Sequence, residues 1–485
     1  MFAWRVGVAC LTAGLLFAPI AAAEESDLRL IEASRRDDAP AVHALVAAGG
    51  DVRAAAEDGA TALHWAAQND DLAVADILIR AGATVDATTD LGVTPLWIAA
   101  TNSSTAMIAR LLDAHANPNI GPPANSPPLM VAARRGNAPA VKALLAHGAD
   151  ANAPERSHGQ TALMWAVSER HSEIVRLLIE AGANVHAQTK TWTQRVLLCC
   201  QYYEGQSDSA AVVNRGGFTP LLFAAQDGDG ASAKLLIAAG ANVRDAAADG
   251  ASALVVAAHA GQADVALMLL EAGADPNAAD TGYTALHIAA TAGNTALAQA
   301  LLKHGADPNA RQQKGSPTKR MPSGHALDFK MVGATPYFLA VRAGQLEMMK
   351  LLVANGADPT IPLKDGRSAL IVLAGLKTVE GPAISDEQAA AAVRLAVQLG
   401  TPVNRVDSKG NTALHVAATR RRDPIVQALV DSGAALAAKN RDGETPLAAA
   451  LKPPPVTGTG MVDDYEYLLK HTETAALLRK LGAKT

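Results

Sequence analysis

Trp192, Arg195, Cys199, Cys200, Tyr202 and Tyr203 fall within residues 192–203 of a chain that has only 5 Trp, 6 Tyr and 6 Phe among 485 residues. Two thiols suggest nucleophilic or metal chemistry first. A thiol attacks only as thiolate, which needs a neighbouring base or a cationic setting that this stretch does not supply. A zinc site needs four ligands, with its cysteines separated by two or more residues, and adjacent cysteines do not meet that spacing. A disulfide between neighbours demands strained geometry. The cluster therefore reads as a surface for a partner, with Trp192, Arg195, Tyr202 and Tyr203 as contacts. The other reading is a segment folded back so that Trp192, Leu197, Leu198 and Tyr203 form a small apolar core of their own.

Further along, residues 311–333 carry Arg311, Lys314, Lys319, Arg320 and Lys330 among Pro and Gly, a basic loop in a chain whose formal charge is -5. Lys319 and Arg320, at its middle, complete the candidate partner contacts. His64, His287 and His415 suggest acid–base work, but each follows Thr-Ala-Leu and they stand far apart in the chain. Structural roles are expected of them. The aspartates of GADPN-type segments lack the closely spaced oxygen donors of a calcium loop and suit local turns instead. No G-x-S-x-G elbow, H-E-x-x-H helix or phosphate-cradling loop occurs. No cofactor or metal is expected.

These residues hang on a repeat. DGATALHWAA at 58–67, LGVTPLWIAA at 91–100 and HGQTALMWAV at 158–167 mark a period of 33 residues. Thr at the head of each run caps a helix, and Pro is tolerated just inside it because its missing N–H would be unpaired there. Alanine pairs such as Ala66-Ala67 allow close helix approach, while leucine pairs such as Leu177-Leu178 fill the space opposite. Gly182, Gly273, Gly305 and Gly356 follow the second helix, where positive φ releases the chain into an extended finger. One further position recurs, at Trp65, Ile98, Val131, Trp165, Phe223, Val256, Ile288, Leu339, Val372 and Val416. This stripe is expected to pack in the core. The alternative is an apolar groove, with Trp65 and Trp165 protruding.

The pattern resembles the ankyrin repeat, on TALHWAA at 61–67, TALHIAA at 284–290 and TALHVAA at 412–418. The resemblance implies an all-α solenoid of helix-turn-helix repeats with β-hairpin fingers, and a histidine that hydrogen-bonds adjoining loops. About twelve repeats are counted: a degenerate one over 28–57, then others starting near 58, 91, 124, 158, 216, 249, 281, 332, 365, 409 and 442. Fingers are expanded near 190–215 and 311–332, and one repeat is lengthened near 375–408. There, Ser385 followed by Gln388 suits a capping box ahead of an alanine-rich helix. Such repeats bury their apolar side only by stacking, so small side chains suffice and aromatics are scarce.

Residues 1–23 read as a signal peptide: Arg5, an apolar run from Val6 to Ala18, then Ala21-Ala22-Ala23. The expected product is a solenoid over 24–485, located in a bacterial periplasm or secreted. The charge balance supplies no attraction for nucleic acid, and no membrane insertion is expected once the leader is removed. The expected function is a non-enzymatic scaffold or adaptor of the cell envelope, monomeric, that binds a protein or peptide. Alternatives are an enzyme whose site is assembled by 190–217 and 311–333, or a protective factor for a co-exported enzyme.

Overall fold

The computed structural model describes residues 21–122, 127–197, 210–313, 316–318, 326–328, 331–376, 384–452 and 473–484. They divide into two compact bodies, Met1–Asn184 and Val185–Thr485. In each body, pairs of short helices repeat along the chain.

The first body holds five helix pairs, from Ala21–Arg35 with Ala39–Ala47 to Ala162–Ser168 with Ser172–Glu180. Each pair packs on the next, first helix against first helix and second against second. Local chemistry starts the helices where the sequence predicts. Thr94 Oγ1 accepts from Trp97 N–H at 3.1 Å, and Pro95 occupies the first turn. Thr161, Thr219, Thr335 and Thr445 do the same work, and Ser252 and Ser368 substitute for them. Asp38, Asp71, Ser104, Asn137, Asp229 and Asn294 cap second helices with their side chains. The core between layers is alanine against leucine: Leu63, Ala66, Ala67 and Leu78 are all buried. Shortening one such leucine to alanine removes about 2–5 kcal/mol.

The second body opens with an antiparallel hairpin, β1 (Thr191–Leu197) and β2 (Ala210–Gly216), in a register that places Trp192 opposite Arg215. A shorter hairpin, β3 (Ser316–Thr318) with β4 (Ala326–Asp328), lies in the basic loop. Helix pairs then stack from Pro220–Asp227 onward, ending in Pro446–Leu451 and a helical stretch at 473–480. The lengthened repeat carries the helix Asp386–Gln398, of 13 residues where other second helices have 9. Its start is the capping box: Gln388 N–H donates to Ser385 Oγ at 3.2 Å and Ser385 N–H to Gln388 Oε1 at 3.0 Å. The fold is the all-α, stacked-repeat solenoid with small β-hairpins that the sequence implies.

Finger turns are fastened from repeat to repeat by asparagines. Asn277 Nδ2 donates to Gly305 O, and its Oδ1 accepts from Asp307 N–H. Asn119, Asn152, Asn309 and Asn404 grip the following turn in the same two-handed way. Aspartates that follow Gly-Ala stay local, as Asp307 Oδ1 accepting from Asn309 N–H shows, whereas Asp86, at an asparagine's place, accepts from Asn117 N–H in the following turn.

Candidate functional site

Strand geometry decides what the β1–β2 hairpin can present. Side chains alternate between faces with a period of two, so Trp192 and Arg195, three apart, point to opposite sides. Trp192 shares its face with Arg215 and Gln194, which are joined by a bond from Arg215 Nε to Gln194 Oε1 at 3.3 Å. Arg195 faces the other way beside its partner Val212. A single patch built on both Trp192 and Arg195 is therefore not what the register gives. Trp192 is 49% exposed and Val212 64%, so Trp192 is not the buried member of a folded-back core either. Gly216 at φ +82° lets the ring lie close, since a Cβ there would stand 2.8 Å from Trp192 Cζ3 and 2.0 Å from Lys190 O. Cys199, Cys200, Tyr202, Tyr203, Lys319 and Arg320 lie outside the described residues, as does Leu198.

The recurring apolar stripe is the second candidate surface, and its burial differs from the core packing expected of it. In the first body Trp65, Ile98, Val131 and Trp165 are all half-buried; in the second, Phe223, Val256, Ile288 and Val416 are half-buried, and only Leu339 and Val372 are buried. The reason is geometric. The helix Ala62–Asn69 touches its own second helix and the first helices on either side. Ala62, Leu63, His64, Ala66 and Ala67 are buried, and Trp65 is left at the one partly open edge. Repetition turns that edge into a row of half-open apolar side chains.

Two tryptophans enlarge the row in the first body, and each has a guanidinium over it. Arg134 Cζ stands 4.3 Å from the Trp165 ring centroid and Arg35 Cζ 6.0 Å from that of Trp65, distances at which a cation is attracted to the ring face. Arg134 is steadied by Glu169 at 3.6 Å and Arg35 by Glu32 at 3.0 Å. Trp165 Nε1 is buried without a hydrogen-bond partner among the described residues. Beside Trp65 lies a cleft of about 700 Å³ lined by Leu28, Ile31, Arg35, Ala60 and Glu57 among others. Arg35 and Arg134 were not singled out in the sequence. Their signal is a basic residue at the end of one first helix, ahead of a tryptophan in the next repeat.

The three histidines are structural parts. His64 Nε2 faces Val93 O at 3.0 Å, His287 Nε2 faces Ala334 O at 3.2 Å, and His415 Nε2 faces Glu444 O at 2.9 Å, each in the next repeat. A carbonyl only accepts, so Nε2 carries the proton and Nδ1 is the acceptor, here of the Thr61, Thr284 and Thr412 N–H groups. Burial pushes all three below the ordinary histidine range, His287 to about 4, and the carbonyl bonds only partly oppose it. They are neutral struts without access to a substrate. Among the described residues no three His, Cys, Asp or Glu side chains gather to hold a metal ion.

Comparison with known proteins agrees with this architecture. Models of ankyrin repeats in three copies match residues 30–122, 121–189, 195–280, 221–312 and 279–362, and a model of many copies matches 398–450. The chain is similar to the B-cell lymphoma 3 protein homolog of Mus musculus, 36% identical over 119 residues, which is 24% of each chain. It thus spans about a quarter of the length of that curated relative. The crystal structure of the human ASB11 ankyrin repeat domain is 26% identical and aligns with a TM-score of 0.40 over 50% of this chain and 96% of that one. With family models covering most of its length, the chain belongs to the ankyrin-repeat family.

Proposed function

We propose that this protein is a monomeric, non-enzymatic scaffold of the cell envelope that captures a partner protein or peptide, after removal of residues 1–23 as an export signal. The ankyrin-repeat fold is a non-catalytic scaffold that acts generally in protein–protein interaction. Among the described residues no helix is long and apolar enough to cross a membrane. The observation that carries the reading is the row of half-open apolar side chains, with Trp65 and Trp165 under Arg35 and Arg134. Half-buried tryptophan beside arginine is the composition of interface anchors, both residue types being enriched where binding energy concentrates. On the β1–β2 hairpin, exposed Trp192 on one face and Arg195 with exposed Val212 on the other are proposed as separate contacts, as are Tyr202, Tyr203, Lys319 and Arg320. About twelve repeats over 24–485 would present both.

Affinity capture with the chain from Glu24 onward, against envelope extract of the source cell, tests the reading. A reproducible partner is expected, with capture reduced about tenfold or more by Trp65→Ala with Trp165→Ala, a loss typical of anchor residues. Undiminished capture by that double variant and by Trp192→Ala would remove both surfaces. N-terminal sequencing of the exported protein checks the leader, with Glu24 as the expected first residue and Met1 the contrary result.

A further inference from the structure

The β1–β2 hairpin is a sheet of two strands, so each strand has one edge without a neighbouring strand. Along β2 the next finger meets that edge only at its foot, where Ala248 N–H donates to Gly216 O at 2.9 Å. From Val212 to Arg215 the main chain makes no hydrogen bond outside the hairpin among the described residues. In an extended strand every second residue turns its N–H and C=O to the same side, so this stretch carries a row of donors and acceptors aimed off the sheet. Proteins blunt such edges with Pro, Lys or a bulge. β2 reads Ala-Ala-Val-Val-Asn-Arg-Gly, and its seven pairs with β1 run without a bulge. Val212 and Asn214 on it are exposed.

Arg215 is the one charge on β2, and β1 adds Arg195 and no acid. The Arg215 side chain is half-buried, on the face it shares with Trp192. Its Nε is spent on Gln194 Oε1 at 3.3 Å, whereas Nη1 and Nη2 make no hydrogen bond or ion pair among the described residues. Asp249, at the tip of the next finger, does not neutralise it: its Oδ1 accepts from Ala251 N–H at 3.0 Å, and no ion pair joins it to Arg215. A guanidinium anchored through Nε with both terminal nitrogens open is preset for a carboxylate, which it grips with two parallel bonds.

The two observations name one occupant. A row of main-chain donors and acceptors is matched by another extended strand, not by a compact side chain or a free ion. Arg215, beside that row, asks for a carboxylate on the strand. We propose that β2 takes a third strand, an extended acidic segment of a partner protein that pairs main chain to main chain along Val212–Arg215 and sets a carboxylate on Nη1 and Nη2 of Arg215. The proposal deepens the binding function above and rests on it.

Fluorescence polarisation of labelled acetyl-Ser-Val-Glu-Val-Glu-Val-Ser-amide on the chain from Glu24 onward tests it. Saturable binding is expected, about tenfold weaker when Gln replaces both Glu, as loss of a charge-assisted bond implies. Methylating the main-chain nitrogens of the three Val, or those of the two Glu, blocks one edge of the probe at a time. One set should abolish binding and the other leave it nearly unchanged; equal sensitivity of both sets, or of neither, overturns the proposal. Arg215→Gln, with hydrogen exchange across Thr191–Leu197 unchanged to show that the hairpin stands, should weaken the Glu probe about tenfold and the Gln probe little. Equal losses for the two probes overturn it as well. So does a dimer in sedimentation that excludes the probe, since a second copy then holds the edge. Partner capture through Trp65 and Trp165 without probe binding would sink the edge alone, and probe binding without any captured partner the scaffold reading alone.

Discussion

Arg422 reaches back to Asp386, one repeat earlier, with both Nε and Nη2 donating to the same Oδ1 at 2.9 and 2.7 Å. Its Nη1 donates to Leu373 O at 2.7 Å, so one guanidinium satisfies the start of the helix Asp386–Gln398 and the end of Ala369–Gly375. The side chain is 9% exposed. Removing the guanidinium leaves the Leu373 carbonyl without its donor, while Asp386, 35% exposed, keeps access to water. Arg422→Ala is expected to cost about 2 kcal/mol in urea unfolding. A double-mutant cycle with Asp386→Asn should show coupling between the two; strict additivity would deny the pair.

Acid should loosen the array through its histidines. Folded His287 titrates at about 4 against the ordinary 6.5, so below pH 6.5 the unfolded chain binds the proton and the folded chain does not. The stability it confers is whole above pH 6.5, falls steadily toward pH 4 and is gone below. At 1.36 kcal/mol per pH unit the full effect is roughly 3 kcal/mol. His64 and His415 are depressed in the same direction. His287→Gln should flatten the decline of the unfolding midpoint between pH 6.5 and 4; a profile parallel to that of the parent protein would contradict the linkage.

The asparagine grip can be dissected one hand at a time. Asn309→Asp keeps an oxygen for Asp358 N–H but loses the donor to Gly356 O, whereas Asn309→Ala loses both. Each net bond is worth about 1 kcal/mol, so the expected losses are roughly 1 and 2 kcal/mol. Amide hydrogen exchange at Asp358 should accelerate in the alanine variant only, with Asp150 in the other body unchanged.

Tyr337 holds Thr401 across 64 residues through a buried hydroxyl contact of 2.9 Å. Burial pushes its phenol up to about 12, the Thr401 bond opposing that only in part. Ultraviolet titration of the folded protein should lose one late-ionising tyrosine in Tyr337→Phe, at a stability cost of about 1 kcal/mol. An unaltered titration curve would place the phenol in solvent.

Repeat and helix starts were legible because each is a local rule stated many times: Thr or Ser ahead of the helix, Pro inside it, Gly after its partner. That His64, His287 and His415 are structural followed from their shared phase, and their bond to the adjoining loop from the family resemblance. Burial of the stripe was not legible, since a position packed on two sides and one open on its edge are apolar alike. Nor could the residues show that Trp192 and Arg195 diverge, because that requires knowing that the finger expansion is a strand. Arg422 and Thr401 each break the repeat pattern once, Arg where most second helices have a polar cap such as Asp71 or Asn137, and Thr where most turns have Ala after Gly. Such single departures carry no meaning until the partner, a whole repeat or more away, is in view.

Among the described residues, three repeats have a histidine strut to the next finger; at the same phase others carry Met130, Met164 or Leu222, which have no ring nitrogen. Mechanically, then, the chain resembles a ratchet with uneven teeth. Under tension, joints downstream of His64, His287 and His415 hold while the joints between them yield first, so a pulled molecule extends in steps set by where its histidines stand.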